Sequence, residues 1–92
     1  MTDHDRVAQW YGLKPFPTGN YPSMTGAYQF ESLLYRLWRE KWAVEIWPEK
    51  DGVKVRVLKS TYRRYVGEHP HEISHALVAA VARMIEAEEE TK

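Results

Sequence analysis

The sequence predicts a single α+β domain: a two-layer sandwich in which two long helices cover one face of a three-stranded antiparallel sheet, after a short N-terminal helix. Two observations predict this fold. Apolar residues recur at helical spacing over residues 26–41 and 70–90, and they alternate with other residues on both sides of Asp51-Gly52. The 92 residues are too few for two separate cores, so we expect one domain over residues 1–92.

The first two helices are predicted from capping residues and apolar stripes. Thr2 or Asp3 can cap a helix that runs through Tyr11 and stops at Gly12. Thr25 is the predicted cap of a second helix, from about Gly26 to Lys41. The apolar stripe of this second helix consists of Phe30, Leu33, Leu34, Leu37 and Trp38.

The last helix is predicted to begin at Pro70, which suits a first helical turn, and to run to about Glu90. Several glutamates near its C-terminal end oppose the helix dipole, so we expect the last turn to fray and the core to span about residues 3–86. The predicted buried stripe consists of Ile73, Ala76, Leu77, Ala80, Val81, Met84 and Ile85.

The hairpin is predicted by a change to a two-residue period. In residues 42–47 Trp42, Val44 and Ile46 alternate with Ala43, Glu45 and Trp47, as in a strand with one buried face. Asp51-Gly52 is a hairpin turn signal, and Val53, Val55 and Val57 follow in alternation. A third strand is expected at about Tyr62 to Gly67, and its pattern leaves the register open.

Composition and charge narrow the functional classes. Thirteen basic and thirteen acidic residues cancel, which does not favour a strong nonspecific nucleic-acid binder. Cysteine is absent, no apolar run is long enough for a membrane span, and the N-terminus is unlike a signal peptide. We therefore expect a cytoplasmic protein that does not act at a membrane.

Motifs for catalysis are not found. The serines lie in no nucleophile elbow, and the five glycines are too dispersed for a phosphate-binding loop. His71 and His75 have the i, i+4 spacing of two metal ligands on a helix, but they fall opposite the predicted apolar stripe and face solvent. We expect no catalytic site, no cofactor and no resident metal, with His71 and His75 as weak metal candidates only.

The outer face of the predicted sheet is the strongest candidate for binding. If the hairpin valines face the helices, alternation directs Trp47, Lys54, Arg56 and Leu58 outward. Either Tyr62 with Arg64 or Arg63 with Tyr65 would join them from the third strand, depending on its register. Trp, Tyr and Arg dominate interface energetics, whereas a solvated sheet with arginine stems lying over aromatic rings explains the same residues equally well.

A segment of about a dozen residues, 13–24, precedes the second helix and contains Pro15, Pro17 and Pro22. Loops of this length are often functional, and its residues Phe16, Asn20 and Tyr21 are candidates for a binding loop. The favoured alternative is a rigid cover in which Phe16 and Tyr21 pack on the core.

Short motifs along nearly the whole chain resemble a known family. Tyr21-Pro22-Ser23-Met24-Thr25-Gly26-Ala27 precedes a helix and the strand Trp42-Ala43-Val44-Glu45-Ile46, and Gly67-Glu68 leads to a helix containing Ala76-Leu77. With the Asp51-Gly52 hairpin, this run resembles the phage ABA sandwich domain, a small protein of phages and prophages. The resemblance implies phage or prophage origin and the fold predicted above, and it supplies no catalytic residues.

Three functional hypotheses follow. The first is a phage- or prophage-derived protein that binds a host protein in the host cytoplasm and antagonises a host defence or process. The second is a nucleic-acid or nucleotide binder that uses the sheet face, where aromatic rings stack bases and arginines contact phosphates. The third is a structural phage component that self-assembles, either through the same face or through Val78, Ala79 and Ala82 of the last helix.

Overall fold

The computed structural model describes residues 2–90, and it has the predicted α+β architecture. Three strands form an antiparallel sheet in the order β1-β2-β3, and the helices pack on one of its faces. Within residues 2–90, no helix has both the length and the apolarity needed to cross a membrane. The elements in chain order are α1 (Asp3–Tyr11), α2 (Ala27–Arg39), β1 (Ala43–Glu49), β2 (Gly52–Leu58), β3 (Arg64–His69) and α3 (Ile73–Glu90).

The register of the sheet turns the hairpin valines toward the helices, as predicted. Val44 pairs with Val57, and Ile46 pairs with Val55. Val55 and Val57 are completely buried. Because side chains alternate along a strand, these residues share one face, here called the inner face, and their neighbours form the outer face.

Close contact between α3 and β3 depends on Gly67, on the inner face. A Cβ atom built on Gly67 would lie against the carbonyl oxygen of Ala76 and the amide nitrogen of Ala80, well inside van der Waals contact. The absent side chain therefore allows the helix backbone to rest directly on the strand. The sequence contains Gly67 within its third predicted strand, but nothing in the local pattern indicates this approach.

The two long helices cover the sheet unequally. α3 packs over β2 and β3, whereas α2 makes only a small contact with β1 and with α3. Ile46 of β1 therefore keeps 44% of its surface exposed although it lies on the inner face. α1 packs against α3 and completes the core from the other side.

α3 contacts both the sheet and α1. It therefore buries more residues than the single stripe that the sequence predicts. The predicted stripe from Ala76 to Ile85 is buried, and so are Val78 and Ala82. The predicted use of Val78, Ala79 and Ala82 for self-association is therefore wrong, since two of them belong to the core and Ala79 faces Gly67. Ile73, a predicted member of the stripe, is exposed at the start of the helix.

The ends of α1 and α2 are capped by short-range contacts. Thr2 caps α1 by accepting a hydrogen bond from the Asp5 amide, and Gly12 ends the helix in the left-handed conformation, as predicted. In α2 the cap is Gly26 and not Thr25, because Thr25 hydrogen bonds with Ser23 instead. Trp38, a predicted member of the buried stripe of α2, is exposed, since the helix turns it away from the buried leucines.

α3 begins three residues later than predicted. Pro70 precedes the helix, and the ring of His69 accepts hydrogen bonds at Nδ1 from the amides of His71 and Glu72. Both amides lie immediately before Ile73, so His69 holds the start of α3 from the end of β3. At its other end α3 remains helical through Glu90, where the sequence predicts fraying.

Ion pairs from other elements reach the C-terminal half of α3. Arg6 of α1 pairs with Glu86, and Arg63 pairs with Glu88. These arginines place positive charge near a helix end whose carbonyl groups carry partial negative charge, which offsets the unfavourable glutamates. Both pairs join residues far apart in the chain, so the sequence pattern does not reveal them.

Replacing Gly67 with Ala should destabilise the fold by about 3 kcal/mol, the upper range for overpacking, because the new methyl group meets backbone atoms of α3 that cannot rotate away. Urea unfolding measures the change. Gly26→Ala is a matched control, since its added Cβ meets only the end of the Gln29 side chain. Equal unfolding midpoints for the two variants would show that α3 does not rest on Gly67.

Candidate partner-binding face

The outer face is built by three cross-strand rows. Arg56 lies between Glu45 and Val66, and Lys54 lies between Trp47 and Glu68. The third row places Leu58 between Ala43 and Arg64. The structure therefore brings together five of the residues predicted for a binding face, namely Trp47, Lys54, Arg56, Leu58 and Arg64.

Three other residues predicted for this face lie elsewhere. Tyr65 pairs with Val57 on the inner face, where its ring packs 6.1 Å from the ring of Trp42. Arg63 precedes β3 and binds Glu88 of α3, and its guanidinium lies 5.2 Å from the Trp42 ring centroid. Tyr62 is almost fully exposed in the turn before β3, which the Lys59 amide closes by donating to the Arg63 carbonyl.

The position of β3 explains why Tyr62, Arg63 and Tyr65 do not lie on the outer face. This strand begins at Arg64, two residues after the predicted start, because residues 59–63 form the turn from β2. The register then places even-numbered residues of β3 outward and odd-numbered residues inward. Sequence reasoning consequently misses Val66 and Glu68 of the outer face, and only the pairing of β3 with β2 identifies them.

Ion pairs neutralise most of the positive charge on the outer face. Arg56 Nη1 lies 3.3 Å from Glu45 Oε1, and its guanidinium carbon is 5.8 Å from the Trp47 ring centroid. Glu45 Oε1 is itself buried, and the contact with Arg56 is ionic without hydrogen-bond geometry. The alternation in the sequence already places Glu45 on the opposite side of β1 from Val44 and Ile46, and so on the same face as Arg56.

Lys54 has two carboxylate partners. Its Nζ atom lies 3.1 Å from Glu49 Oε1 and 3.6 Å from Glu68 Oε1. The hydrogen bond with Glu49, aided by its charge and by Glu68, raises the pKa of Lys54 above its ordinary value. Both partners are well exposed, so solvent screens these pairs and they position side chains more than they stabilise the fold.

Trp47 is the largest apolar group on this face. It lies on β1, an edge strand of the sheet, and keeps 47% of its surface exposed. Leu58 and Val66 are partly buried among the charged side chains around it. The outer face therefore combines an accessible indole ring with internally paired charges.

The predicted loop divides into an anchored part and an exposed part. Tyr21 packs against the core, as the cover interpretation predicts, and Met24 is fully buried beside the start of α2. Phe16 is exposed, because the Phe16 amide bonds to the Asn20 carbonyl in a tight turn that holds Phe16 and Asn20 away from the core. The loop thus displays Phe16 and Asn20 but not Tyr21.

All four histidines lie near one another, although the sequence suggests only His71 and His75. The His75 ring stacks on His69 with centroids 4.7 Å apart and meets the His4 ring edge-on at 5.3 Å. His71 is exposed and lies beside His69. His75 is partly buried by these neighbours, so it faces solvent only in part.

Their arrangement does not form a metal centre in residues 2–90. Within this part of the chain, no group of three or more His, Cys, Asp or Glu side chains has a geometry that could hold a metal ion. Glu72 Oε2 lies 2.5 Å from His75 Nδ1, and the rings stack on one another instead of converging on a shared point. The contacts instead join α1, β3 and α3 at one end of the molecule.

The fold and this surface define a class: a small α+β domain with one sheet face left uncovered by its helices. A scan against models of protein families, a search of the curated proteins and a search of the solved structures each found no match to this chain.

The pKa of Lys54 provides a test of the charge arrangement on the outer face. Replacing Glu49 with Gln removes its main partner, so the pKa of Lys54 should fall toward its ordinary value. The ion pairs stabilise the charged amine, so their contribution is present at neutral pH and is lost as the pH rises through the raised pKa. NMR titration of the Lys54 side chain measures this, with Glu31→Gln as a control on α2, and an unchanged pKa in Glu49→Gln would contradict the pairing.

Proposed function

We propose that this protein works by binding a partner protein on the outer face of its sheet and does not catalyse a reaction. One observation carries the proposal: a sheet face that no helix of residues 2–90 covers presents a half-exposed tryptophan among charges that already neutralise one another. Such a face resembles the central part of a protein interface, where aromatic residues and arginine contribute most of the binding energy.

The ion pairs prepare the surface for an apolar contact. A lone charge that becomes buried at an interface pays the full free-energy cost of losing its hydration. When the charge keeps an oppositely charged partner, their attraction offsets part of that cost. Arg56 contacts both Glu45 and the Trp47 ring, which restricts the side chains before a partner arrives. Residues held in place before binding lose less conformational entropy on binding, so this arrangement favours affinity.

The same ion pairs make nucleic acid a less suitable partner for this face. Binding to a phosphate backbone depends on cations that are free to replace counterions. Lys54 and Arg56 are both paired with carboxylates, and Arg64 is the one basic residue of the face without an ion-pair partner among residues 2–90. Protein is therefore the better-supported class of partner.

The resemblance to the phage ABA sandwich domain suggests what this partner is. A phage-encoded binding protein would meet proteins of the host cell, so we propose a host protein as the target and antagonism of a host defence or process as the role. The resemblance supports this part of the proposal, and the outer face supports the mode of binding.

Trp47→Ala should weaken partner binding about 30-fold, because truncating a residue that dominates an interface costs at least about 2 kcal/mol. Affinity purification from host cells, followed by quantitative mass spectrometry and titration with the purified partner, measures the loss. Trp38→Ala is the matched control, since Trp38 is also an exposed tryptophan but lies on α2.

A partner captured equally by the wild type and Trp47→Ala would contradict the proposal. A second result would also contradict it: binding of nucleic acid that weakens steeply as the salt concentration rises and that is lost in Arg56→Glu. That outcome would identify the sheet face as a nucleic-acid site.

A further inference from the structure

The outward side of α2 carries a second exposed surface, on the opposite side of the helix from its buried leucines. At about 100° per residue, the side opposite Leu33 and Leu37 presents six residues. Helices on the surface of a monomer usually present polar residues there, but half of the residues on this side are aromatic. We call it the α2 stripe, and its members are Tyr28, Glu31, Ser32, Tyr35, Trp38 and Arg39.

The three aromatic residues of the α2 stripe are well exposed. Tyr28 is 77%, Tyr35 is 59% and Trp38 is 68% accessible. The rings of Tyr35 and Trp38 have centroids 5.8 Å apart, and the Arg39 guanidinium lies 5.7 Å from the Tyr35 ring. Tyr35 and Trp38 therefore form one patch, and Tyr28 lies about two turns earlier on the same side of the helix. Clustered rings of this kind differ from the scattered apolar residues that are ordinary on protein surfaces.

The charges of the stripe are arranged around Tyr35. Glu31 lies four residues before Tyr35 and Arg39 lies four residues after it. Neither forms an ion pair within residues 2–90, whereas Arg36 and Glu40 nearby are paired with each other at 2.8 Å. Among the described residues, the stripe thus carries an unpaired negative charge toward its N-terminal end and an unpaired positive charge toward its C-terminal end.

This pattern is complementary to a second copy of itself. When two α2 helices pack antiparallel with Tyr35 at the two-fold axis, each Glu31 faces Arg39 of the other copy, and the pair forms twice. A parallel arrangement would instead place Glu31 against Glu31 and Arg39 against Arg39. The charges therefore select the antiparallel arrangement, in which the helix dipoles also oppose each other favourably.

We propose that two copies of this protein associate through their α2 stripes in an antiparallel, two-fold symmetric dimer. Large aromatic side chains bury about 150–250 Å² each when fully covered. Three such residues that are already partly covered give roughly 400 Å² per copy, about half of a standard interface. The dimer is consequently weak, because an interface of about half the standard area falls among transient contacts.

Charge reversal tests the geometry directly. Glu31→Arg and Arg39→Glu each place like charges opposite one another, so each variant alone should associate at least about tenfold more weakly than the wild type. In a 1:1 mixture, the arginine introduced at position 31 of one variant faces the glutamate introduced at position 39 of the other. The native Arg39 of the first variant then faces the native Glu31 of the second, so both attractive pairs return and a heterodimer should form. Sedimentation velocity over a concentration series measures these masses.

Two controls keep folding separate from association. Arg64→Glu reverses an exposed charge on the outer face of the sheet and should leave the dimer unchanged. Circular dichroism and thermal unfolding check that the exposed positions Glu31 and Arg39 tolerate reversal, as their lack of ion-pair partners in residues 2–90 implies. Trp38→Ala removes apolar area without changing charge and should also reduce dimerisation about tenfold or more.

Several results would overturn the proposal. A wild-type protein that stays monomeric at millimolar concentration has no such interface. Failure of the mixture to associate more strongly than either variant alone would exclude the antiparallel pairing. Loss of the dimer in Trp47→Ala but not in Trp38→Ala would place self-association on the sheet.

Discussion

The contact between α3 and β3 at Gly67 is the constraint on which the other elements depend. Because this residue has no side chain, the helix backbone reaches the sheet at the level of Ala76 and Ala80. The small residues of the helix and the missing side chain of the strand bring two elements together at short range. Val55 and Val57 of the central strand are then completely covered, and the sheet acquires a helical side and an open side.

The central position of α3 also explains where the remaining apolar residues are. α1 packs on α3, and α2 reaches the edge strand β1 only lightly. α3 supplies half of the buried apolar cluster described in residues 2–90, and β2 adds Val55 and Val57. In a domain of this size, part of the large aromatic surface stays exposed. Trp47 on the sheet, and Tyr28, Tyr35 and Trp38 on α2, are left at the surface.

The two aromatic surfaces differ in their electrostatics. On the outer face, Lys54 and Arg56 are already paired with glutamates of the same face, so the surface is neutral by itself. On the α2 stripe, Glu31 and Arg39 have no ion-pair partner within residues 2–90 and are separated by two helical turns. A neutral surface suits an apolar contact with a different molecule, whereas a separated pair of charges suits an antiparallel copy. The two surfaces lie on different elements. A partner protein on the outer face and a second copy on the α2 stripe would therefore contact different residues.

The sequence by itself determined the local elements and the hairpin. Alternation in residues 42–47 and 53–58 identified which side of each hairpin strand faces the helices, because the side-chain period of a strand is fixed. Helical spacing placed the buried leucines of α2 and most of the core side of α3. The same alternation placed Trp47, Lys54, Arg56 and Leu58 together on the outer face, because residues two apart on a strand share a side.

Only the tertiary structure decided the features that depend on contacts between distant residues. The register of β3 placed Tyr65 inward and Val66 and Glu68 outward. The sequence of the third strand alternates too weakly to predict this register. Val78 and Ala82 are buried because α1 packs on the far side of α3. Trp38 is exposed because no other element of residues 2–90 packs on that side of α2. Local periodicity tells which residues share a side of an element, but another element decides whether that side is covered.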